Sequence, residues 1–249
     1  MKKVITIVVF TWITTGLFAQ WKPAGDKIKT LWAEKVDPNN VLPEYPRPMM
    51  ERSVWKNLNG LWEYAILPVN EKEPSKFDGK ILVPFAVESS LSGVQERVSK
   101  DQELWYKRTF TVPIAWKGKN ILLHFGAVDW KTEVFINDVK VGVHVGGFTP
   151  FYFNITPFLK GNGEQKLVVK VYDATEHGFQ SRGKQITNPS GICYTPVSGI
   201  WQTVWMEPVE DKYISNIKTV SDIDKKKLTI YITGDKMTNG DILEVRILD

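Results

Sequence analysis

The sequence has little of what several common kinds of functional site require. Cys193 is the only cysteine, so an intrachain disulfide is excluded. The three histidines, His124, His144 and His177, lack the spacing of a metal-binding motif. A nucleophile elbow is also missing, because the GFQSRG segment at 178–183 does not follow the Gly-x-Ser-x-Gly pattern. These absences argue against a disulfide-stabilised, metal-dependent or serine-hydrolase site.

Strong charge of one sign is also absent. The 249 residues carry 32 basic and 28 acidic side chains, which gives a formal net charge of +4. The one tight basic run, Lys225-Lys226-Lys227, lies where a turn is expected, and we interpret it as a solvated turn. The sequence therefore predicts no nucleic-acid partner.

Long apolar runs are confined to the N-terminus. Lys2-Lys3 precedes an apolar run, Val4–Phe18, and the small residue Ala19 follows at a plausible cleavage point. The run is shorter than the ~20 residues of a transmembrane helix. We therefore interpret residues 1–20 as a signal peptide and predict no transmembrane span. Export without disulfides favours a periplasmic or cell-surface protein of a bacterium.

Alternation of polar and apolar residues is the most abundant pattern in the chain. It predicts four strands in the central stretch, at Leu123–Phe125, Thr132–Ile136, Val139–Val145 and Phe151–Ile155, with a two-residue turn at Asn137-Asp138. Aromatic residues make up 12% of the chain, and we interpret most of them as core. The predicted fold class is all-β, an antiparallel β-sandwich.

The pattern also predicts how the chain divides. Residues 21–210 form an N-terminal arm, Trp21–Pro48, and the sandwich. After Val209, shorter alternating segments at Tyr213–Val220, Lys227–Ile232 and Ile242–Leu248 predict three strands. An immunoglobulin-like sandwich needs about seven, so residues 211–249 are interpreted as its truncated start.

Two long segments lack a clean strand pattern. One is the polar, Ser-rich stretch Glu88–Gln102, and the other is Asp173–Ser198, which contains basic and aromatic residues among Gly and Pro. Long loops in compact domains are often functional. We therefore predict that these two loops lie at the functional site.

Five motifs in order resemble glycoside hydrolase family 2, which includes β-galactosidases, β-glucuronidases and β-mannosidases. They cover about residues 50–210 and read LNGLWEY (58–64), VPFAVESSLSG (83–93), LWYKRTFTVP (104–113), HVGGFTPFYFNITPFL (144–159) and SGIWQTVWMEPV (198–209). The resemblance implies a jelly-roll, galactose-binding-like sugar-binding domain. An immunoglobulin-like domain and a catalytic TIM barrel follow it in the family.

The resemblance implies that catalysis lies outside this chain. Family members hydrolyse terminal β-glycosidic bonds with retention, using two glutamates on the barrel about 5–5.5 Å apart. The acid/base belongs to an Asn-Glu pair, and Asn70-Glu71 is interpreted instead as a solvated loop pair. We therefore expect no catalytic residue, metal or cofactor here. The expected function is that of the non-catalytic N-terminal part of an exported glycosidase.

The loop Asp173–Ser198 is the predicted sugar-facing segment. In the galactosidase and glucuronidase branches a carboxylate stands six residues before the glycine of the last motif, and here that position is Cys193. Other side chains form the predicted substrate-binding set: Arg182 and Lys184, which suit a uronate or sulfate, Tyr194, which can stack on a pyranose face, and Gln185. Packing of this loop on the barrel remains the alternative.

The expected partners follow from the same resemblance. They are an oligosaccharide or polysaccharide side chain and the chain's own missing TIM barrel, with homo-oligomer formation left open. The alternative function is a free-standing jelly-roll carbohydrate-binding module or surface adhesin without hydrolase activity. Fold alone does not separate the two, because such sandwiches carry many functions.

Overall fold

The computed structural model describes residues 21–26 and 28–246, and the predicted signal peptide, residues 1–20, lies outside them. Within these ranges no helix is long and apolar enough to cross a membrane. The helical segments found there are single 3-10 turns at Ala33–Lys35, Ser90–Ser92, Ile114–Trp116 and Thr156–Phe158. The strands are β1 Lys56–Asn57, β2 Gly60–Pro68, β3 Gly79–Val83, β4 Gln102–Thr111, β5 Asn120–Phe125, β6 Val128–Asp129, β7 Lys131–Ile136, β8 Val139–Val145, β9 Phe151–Asn154, β10 Glu164–Tyr172, β11 Gly199–Ile200, β12 Val204–Val209, β13 Tyr213–Asp222 and β14 Lys227–Asp235.

Two antiparallel sheets form the sandwich. One has six strands in the order β3-β2-β4-β10-β7-β8, and the other has four in the order β1-β12-β5-β9. Two small sheets, β11-β6 and β13-β14, complete the described part of the chain. The prediction of an all-β antiparallel sandwich is confirmed.

The core lies between the two main sheets and is rich in large side chains. Trp62 and Tyr106 come from the six-stranded sheet, whereas Phe125 and Met206 come from the four-stranded sheet, and all four are fully buried. Burying such side chains stabilises the fold by about 1.5–3 kcal/mol each. Alternation places these residues inward because successive side chains point to opposite faces of a sheet.

The turn at Asn137-Asp138 is confirmed and joins β7 to β8. Both residues have positive φ, 50° and 72°, as a type I′ turn requires. The Asn137 side chain also donates to Gln165 Oε1 at 2.8 Å, which ties the turn to β10. The central stretch is not confined to one sheet, however. β7 and β8 belong to the six-stranded sheet, whereas β5 and β9 belong to the four-stranded one.

The last motif does not form the single strand that its alternation suggests. It is divided into β11 and β12, and Trp201 lies in the break. There the Trp201 indole donates to the carbonyl oxygen of Gly147 at 2.8 Å, while β11 pairs with β6. Tertiary contacts with these neighbours therefore interrupt the strand.

The C-terminal segment is only partly as predicted. β13 and β14 confirm two of the three expected strands and pair with each other. Residues 242–246 form no strand, and Ile242 is 97% exposed. A strand needs a neighbour to bond its backbone groups, and these residues have no paired strand beside them. The boundary at 210/211 stays a prediction.

A buried carboxylate joins the N-terminal arm to the outer face of the four-stranded sheet. Glu207, on β12, is 0% exposed. It accepts hydrogen bonds from Tyr45 Oη at 2.8 Å, Arg47 Nη2 at 2.7 Å and Arg52 Nε at 3.1 Å. His124 Nε2 on β5 lies 2.9 Å from Glu207 Oε1. The arm therefore packs over the sandwich, and His124 is a buried member of the same cluster.

The same cluster reaches the C-terminal hairpin. Arg52 Nη2 donates to the Ile214 carbonyl on β13 at 2.6 Å. Burial raises the pKa of Glu207, but hydrogen bonds and charges from His124, Arg47 and Tyr45 outweigh it and lower that pKa to about 2. Because this value lies below the ordinary 4.5 of a glutamate, ionised Glu207 stabilises the fold above about pH 4.5. That contribution is lost as the pH falls towards 2.

We predict that Glu207→Gln lowers the free energy of unfolding at pH 7 by about 3–5 kcal/mol, because Arg47 and Arg52 then lose their buried counter-charge. Urea denaturation measures the change. The deficit relative to the unsubstituted chain should shrink as the pH falls from 4.5 to 2. Glu210→Gln, at an exposed position nearby, should stay within about 0.5 kcal/mol. Equal effects of the two substitutions would contradict this account.

Gly199 provides a second prediction. Its φ of 82° favours glycine, and an added Cβ would overlap the Tyr106 hydroxyl and crowd Leu104. Gly199→Ala should therefore destabilise the fold by about 3–5 kcal/mol through strain and overpacking together. Gly118 is a matched control, since its φ is 84° but nothing lies within 4 Å of an added Cβ. Gly118→Ala should cost about 1–2 kcal/mol, and a similar loss at both positions would show that the contact with Tyr106 is unimportant.

Candidate functional site

The two loops predicted to lie at the functional site meet at one end of the sandwich. The backbone N–H of Ser198 donates to Glu88 Oε2 at 3.0 Å. Arg97 Nη1 donates to Asn188 Oδ1 at 3.2 Å. The structure therefore brings Glu88–Gln102 and Asp173–Ser198 together, although they are far apart in sequence.

An open cavity of about 380 Å³ lies where these loops meet the N-terminal arm. Its walls come from residues 28–30 and Ala33 of the arm, from Ala86 and residues 88–91 at the start of the first loop, and from residues 195–197 of the second. Glu88 and Lys29 are both among the lining residues. The volume falls at the lower end of the range for small-molecule sites. The predicted substrate-binding residues of the second loop are not among the residues that line it.

Short-range hydrogen bonds fix the first loop and the arm around this cavity. The Ser89 hydroxyl accepts from the Leu91 N–H at 3.1 Å and caps the 3-10 turn Ser90–Ser92. Ser90 Oγ donates to the Ala24 carbonyl at 2.5 Å, and the Ala24 N–H donates to the Ser90 carbonyl at 2.8 Å. Serine side chains favour such turns, which explains the Ser-rich sequence.

Gln185 is the buried member of the predicted substrate-binding set. It is 5% exposed, and its Oε1 accepts from the Val197 N–H at 2.5 Å. Its side chain lies beside Asp129 and favours the ionised form of that carboxyl, but burial outweighs this effect on the pKa. Gln185 therefore holds the loop against the sandwich and does not present its amide to solvent.

The other three predicted residues lie beside it. Tyr194 is 51% exposed, and its hydroxyl accepts from the Lys184 N–H at 3.4 Å. The Lys184 side chain is exposed. Arg182 Nη1 donates to the Gln185 carbonyl at 3.0 Å and lies 3.8 Å from Glu176 Oε2. The structure thus groups all four residues, with Lys184 and the Tyr194 ring facing outward and Arg182 partly used within the loop.

Three buried acids beneath this loop were not identified from the sequence. Glu88, Asp129 and Asp173 are 3%, 2% and 2% exposed. Asp129 ends β6, and Asp173 follows β10. Their positions just after strands are the only local signal, and sequence spacing does not show that they meet.

Burial dominates the electrostatics of two of these acids. Burial raises the pKa of Glu88 to about 7, and hydrogen bonds from Ser198 only partly offset it. Burial, followed by the negative charge of Asp173, raises the pKa of Asp129 to about 7. Asp129 Oδ1 has no hydrogen-bond partner among the residues described, and the backbone of Gly147 packs directly against it. Such groups are costly to ionise.

Potential metal ligands, the Asn70-Glu71 pair and Cys193 complete the description of the polar residues. Among residues 21–26 and 28–246, no group of three or more His, Cys, Asp and Glu side chains has a metal-binding arrangement. Glu71 is exposed, and the Asn70 N–H donates to Glu103 Oε2 at 3.1 Å, in keeping with a solvated loop pair. Cys193, where the related branches have an acid, is a partly exposed free thiol.

Comparison with known proteins identifies the sandwich. The family model described as glycosyl hydrolases family 2, sugar binding domain, matches residues 94–206. A β-galactosidase of Thermoanaerobacter pseudethanolicus is 30% identical over 199 residues, which are 75% of this chain and 26% of that protein. A β-glucuronidase of Paenibacillus borealis is 29% identical over 133 residues, which are 51% of this chain and 22% of that protein. The chain thus spans about a quarter of the length of these relatives.

Solved structures agree with the fold. A β-glucuronidase from Ruminococcus gnavus in complex with D-glucuronic acid has a TM-score of 0.56 at 18% identity, covering 77% of this chain and 36% of that one. A β-D-glucuronidase from Dictyoglomus thermophilum has a TM-score of 0.54 at 23% identity, covering 76% and 34%. The motifs, the sandwich and the family match agree with one another: residues 94–206 are similar to the sugar-binding domain of glycosyl hydrolases family 2.

Proposed function

We propose that this chain is the N-terminal, non-catalytic part of an exported glycosidase of the β-galactosidase or β-glucuronidase type. The complete protein hydrolyses terminal β-glycosidic bonds with retention, and its two catalytic glutamates lie on a TIM barrel outside this sequence. The observation that carries the proposal is the 30% identity to a β-galactosidase over 199 residues, which are 75% of this chain.

The loop Asp173–Ser198 supplies the sugar contacts in this proposal. Lys184 and the Tyr194 ring face outward from the loop. An ammonium group suits a carboxylate or sulfate on the sugar, and an aromatic ring suits the apolar face of a pyranose. Arg182 makes a smaller contribution to sugar binding, because its guanidinium already contacts Gln185 and Glu176. Gln185 positions the loop.

Export is the second part of the proposal. It rests on residues 1–20, where two lysines, an apolar run and a small residue follow one another as in a signal peptide. A periplasmic or cell-surface enzyme would meet oligosaccharides or polysaccharide side chains directly. Such a location agrees with the absence of a second cysteine.

We predict that the purified chain hydrolyses neither aryl β-galactosides nor aryl β-glucuronides. The proposal places both catalytic glutamates on the barrel, and the three acids beneath the loop are at most 3% exposed. Release of 4-nitrophenol, followed spectrophotometrically, measures this against a commercial β-glucuronidase as positive control. Turnover abolished by substituting a residue of this chain would overturn the assignment of catalysis to the barrel.

We also predict that, in the protein encoded by the complete gene, Lys184→Ala raises KM for a β-glucuronide roughly tenfold with little change in kcat. This roughly tenfold increase in KM corresponds to the loss of one charge-assisted hydrogen bond. KM for the neutral β-galactoside should stay within about twofold. Tyr194→Ala should raise KM for both substrates, because stacking does not depend on charge.

Lys225→Ala is the matched control, since Lys225 is an exposed lysine of the β13–β14 turn. It should leave both KM values unchanged. If the Lys184→Ala and Lys225→Ala variants have the same KM for the β-glucuronide, Lys184 does not contribute to sugar binding. In that case, glycan binding without any hydrolysis by the complete protein would favour the free-standing binding module.

A further inference from the structure

A second cavity lies on the N-terminal arm, away from the predicted sugar contacts of the Asp173–Ser198 loop. It has a volume of about 320 Å³ and is called the arm groove below. It shares three lining residues with the cavity beside Glu88, so the two adjoin along the arm: Thr30, Ala33 and Leu91. Its other lining residues are Trp32, Lys35, Val36, Asp37, Asn40, Val41, Leu42, Pro43 and Phe85.

Hydrogen bonds hold the floor of the arm groove against the sandwich. The Asn57 side chain donates to the carbonyl oxygens of Val41 at 3.0 Å and Leu42 at 2.8 Å. Asn59 Nδ2 donates to the same Val41 carbonyl at 3.2 Å. Ala33 and Val41 are each only 6% exposed. The groove is therefore formed before any ligand binds, which reduces the entropic cost of binding.

An exposed tryptophan forms one side of the arm groove. Trp32 is 72% exposed and directly precedes the 3-10 turn Ala33–Lys35. Tryptophan is highly buried on average in folded proteins. The Lys35 ammonium lies 4.8 Å from the centroid of the indole ring, but most of the side-chain surface stays accessible. Trp32 thus presents an aromatic surface beside an apolar groove.

Polar side chains form the rim. Thr30, Asp37 and Asn40 line the groove and are exposed. The side chains of Thr30 and Asn40 have no hydrogen-bond partner among the residues described. Asp37 Oδ1 accepts from the Asn39 N–H at 2.9 Å, which leaves Oδ2 available. A hydroxyl, an amide and a carboxylate oxygen are therefore free to bond a ligand.

The shape and the rim of the groove indicate the class of ligand. A stable protein interface is a broad surface that buries more than about 1,000 Å², whereas a concave site with a few polar groups suits a small molecule. Hydroxyl, amide and carboxylate groups pair well with sugar hydroxyls, and an indole suits the apolar face of a pyranose. Because Lys35 and Asp37 carry opposite charges, the groove favours a neutral sugar.

We propose that the arm groove is a second carbohydrate-binding site, which takes a neutral pyranose unit of an oligosaccharide. Trp32 stacks on the apolar face of the ring, and Asn40 and Asp37 bond its hydroxyls. The choice of a carbohydrate rests on the proposed function. The site differs from the Asp173–Ser198 loop in its residues and in its preference, since Lys184 suits an acidic sugar.

Two-dimensional ¹H–¹⁵N NMR of the purified chain tests this site directly. The indole N–H signal of Trp32 is the one that is lost in the Trp32→Phe variant. Titration with β-1,4-galactotetraose, β-1,4-xylotetraose and β-1,4-mannotetraose, each to about 10 mM, should shift this signal with at least one of the three, at a Kd of about 1 mM. No shift with any of them would overturn the proposal.

Substitutions separate sugar binding from a structural role. Trp32→Ala should weaken binding of the same oligosaccharide about tenfold, and Asn40→Ala about threefold, as measured from the backbone amide shifts of residues 30–42. Trp32→Phe keeps an aromatic ring and should stay within about threefold. Because Trp32 is largely exposed, Trp32→Ala should leave the midpoint of urea denaturation unchanged.

Tyr231→Ala is the matched control, since Tyr231 on β14 is a 57% exposed aromatic residue outside the groove. It should leave the affinity unchanged. Equal affinities of Trp32→Ala and Tyr231→Ala would contradict stacking on Trp32. A dimer in sedimentation velocity that dissociates on Trp32→Ala, without any sugar-induced shift, would show that a second copy of the chain covers the groove, which also overturns the proposal.

The arm site and the proposed function fail in different ways. If sugars leave the Trp32 signal unchanged while Lys184→Ala raises KM for the β-glucuronide in the complete protein, the arm site alone is wrong. If an oligosaccharide binds at Trp32 but the complete protein hydrolyses no β-glycoside, the arm site is supported and the proposed glycosidase activity is contradicted.

Discussion

Glu207 is the interaction on which the arrangement of the described chain most depends. It is a fully buried carboxylate on β12, and its polar neighbours come from the arm, from β5 and from the segment leading into β1. Removing a counter-charge from a buried ion cluster is far more costly than losing a surface ion pair. Because Arg52 also bonds to Ile214, the same cluster fastens the β13–β14 hairpin. The arm, the sandwich and the hairpin are thus joined at one point.

The arm matters for function because it forms one wall of the candidate cavity. Its C-terminal part is fixed at Tyr45 and Arg47, and its N-terminal part is fixed by the paired hydrogen bonds of Ala24 with Ser90. The opposite wall belongs to the Asp173–Ser198 loop, whose one strand-like pairing is the isolated bridge between Gln185 and Tyr194. Hydrogen bonds to the buried carboxylates of Glu88 and Asp173 fix the C-terminal end of that loop at Ser198.

The sequence was most informative where the pattern is local. Alternation and the Asn137-Asp138 turn predicted β7 and β8, because hairpin geometry depends on adjacent residues. The clustering of Glu88 with Asp129 and Asp173 could not be predicted, because three distant segments contribute one acid each. The break at Trp201 was missed for the same reason, since its indole bonds to Gly147 in another part of the chain. Of the predicted site, the four loop residues do lie together, but only the structure shows that Gln185 is buried.

The central proposal is that this sandwich is the sugar-binding part of a longer glycosidase. Sequencing the expressed transcript beyond the codon for Asp249 tests it most directly. The account predicts that the reading frame continues through the remaining strands of an immunoglobulin-like domain into a TIM barrel with an Asn-Glu pair and a second glutamate. A stop codon directly after Asp249, or a downstream domain without those glutamates, would contradict it.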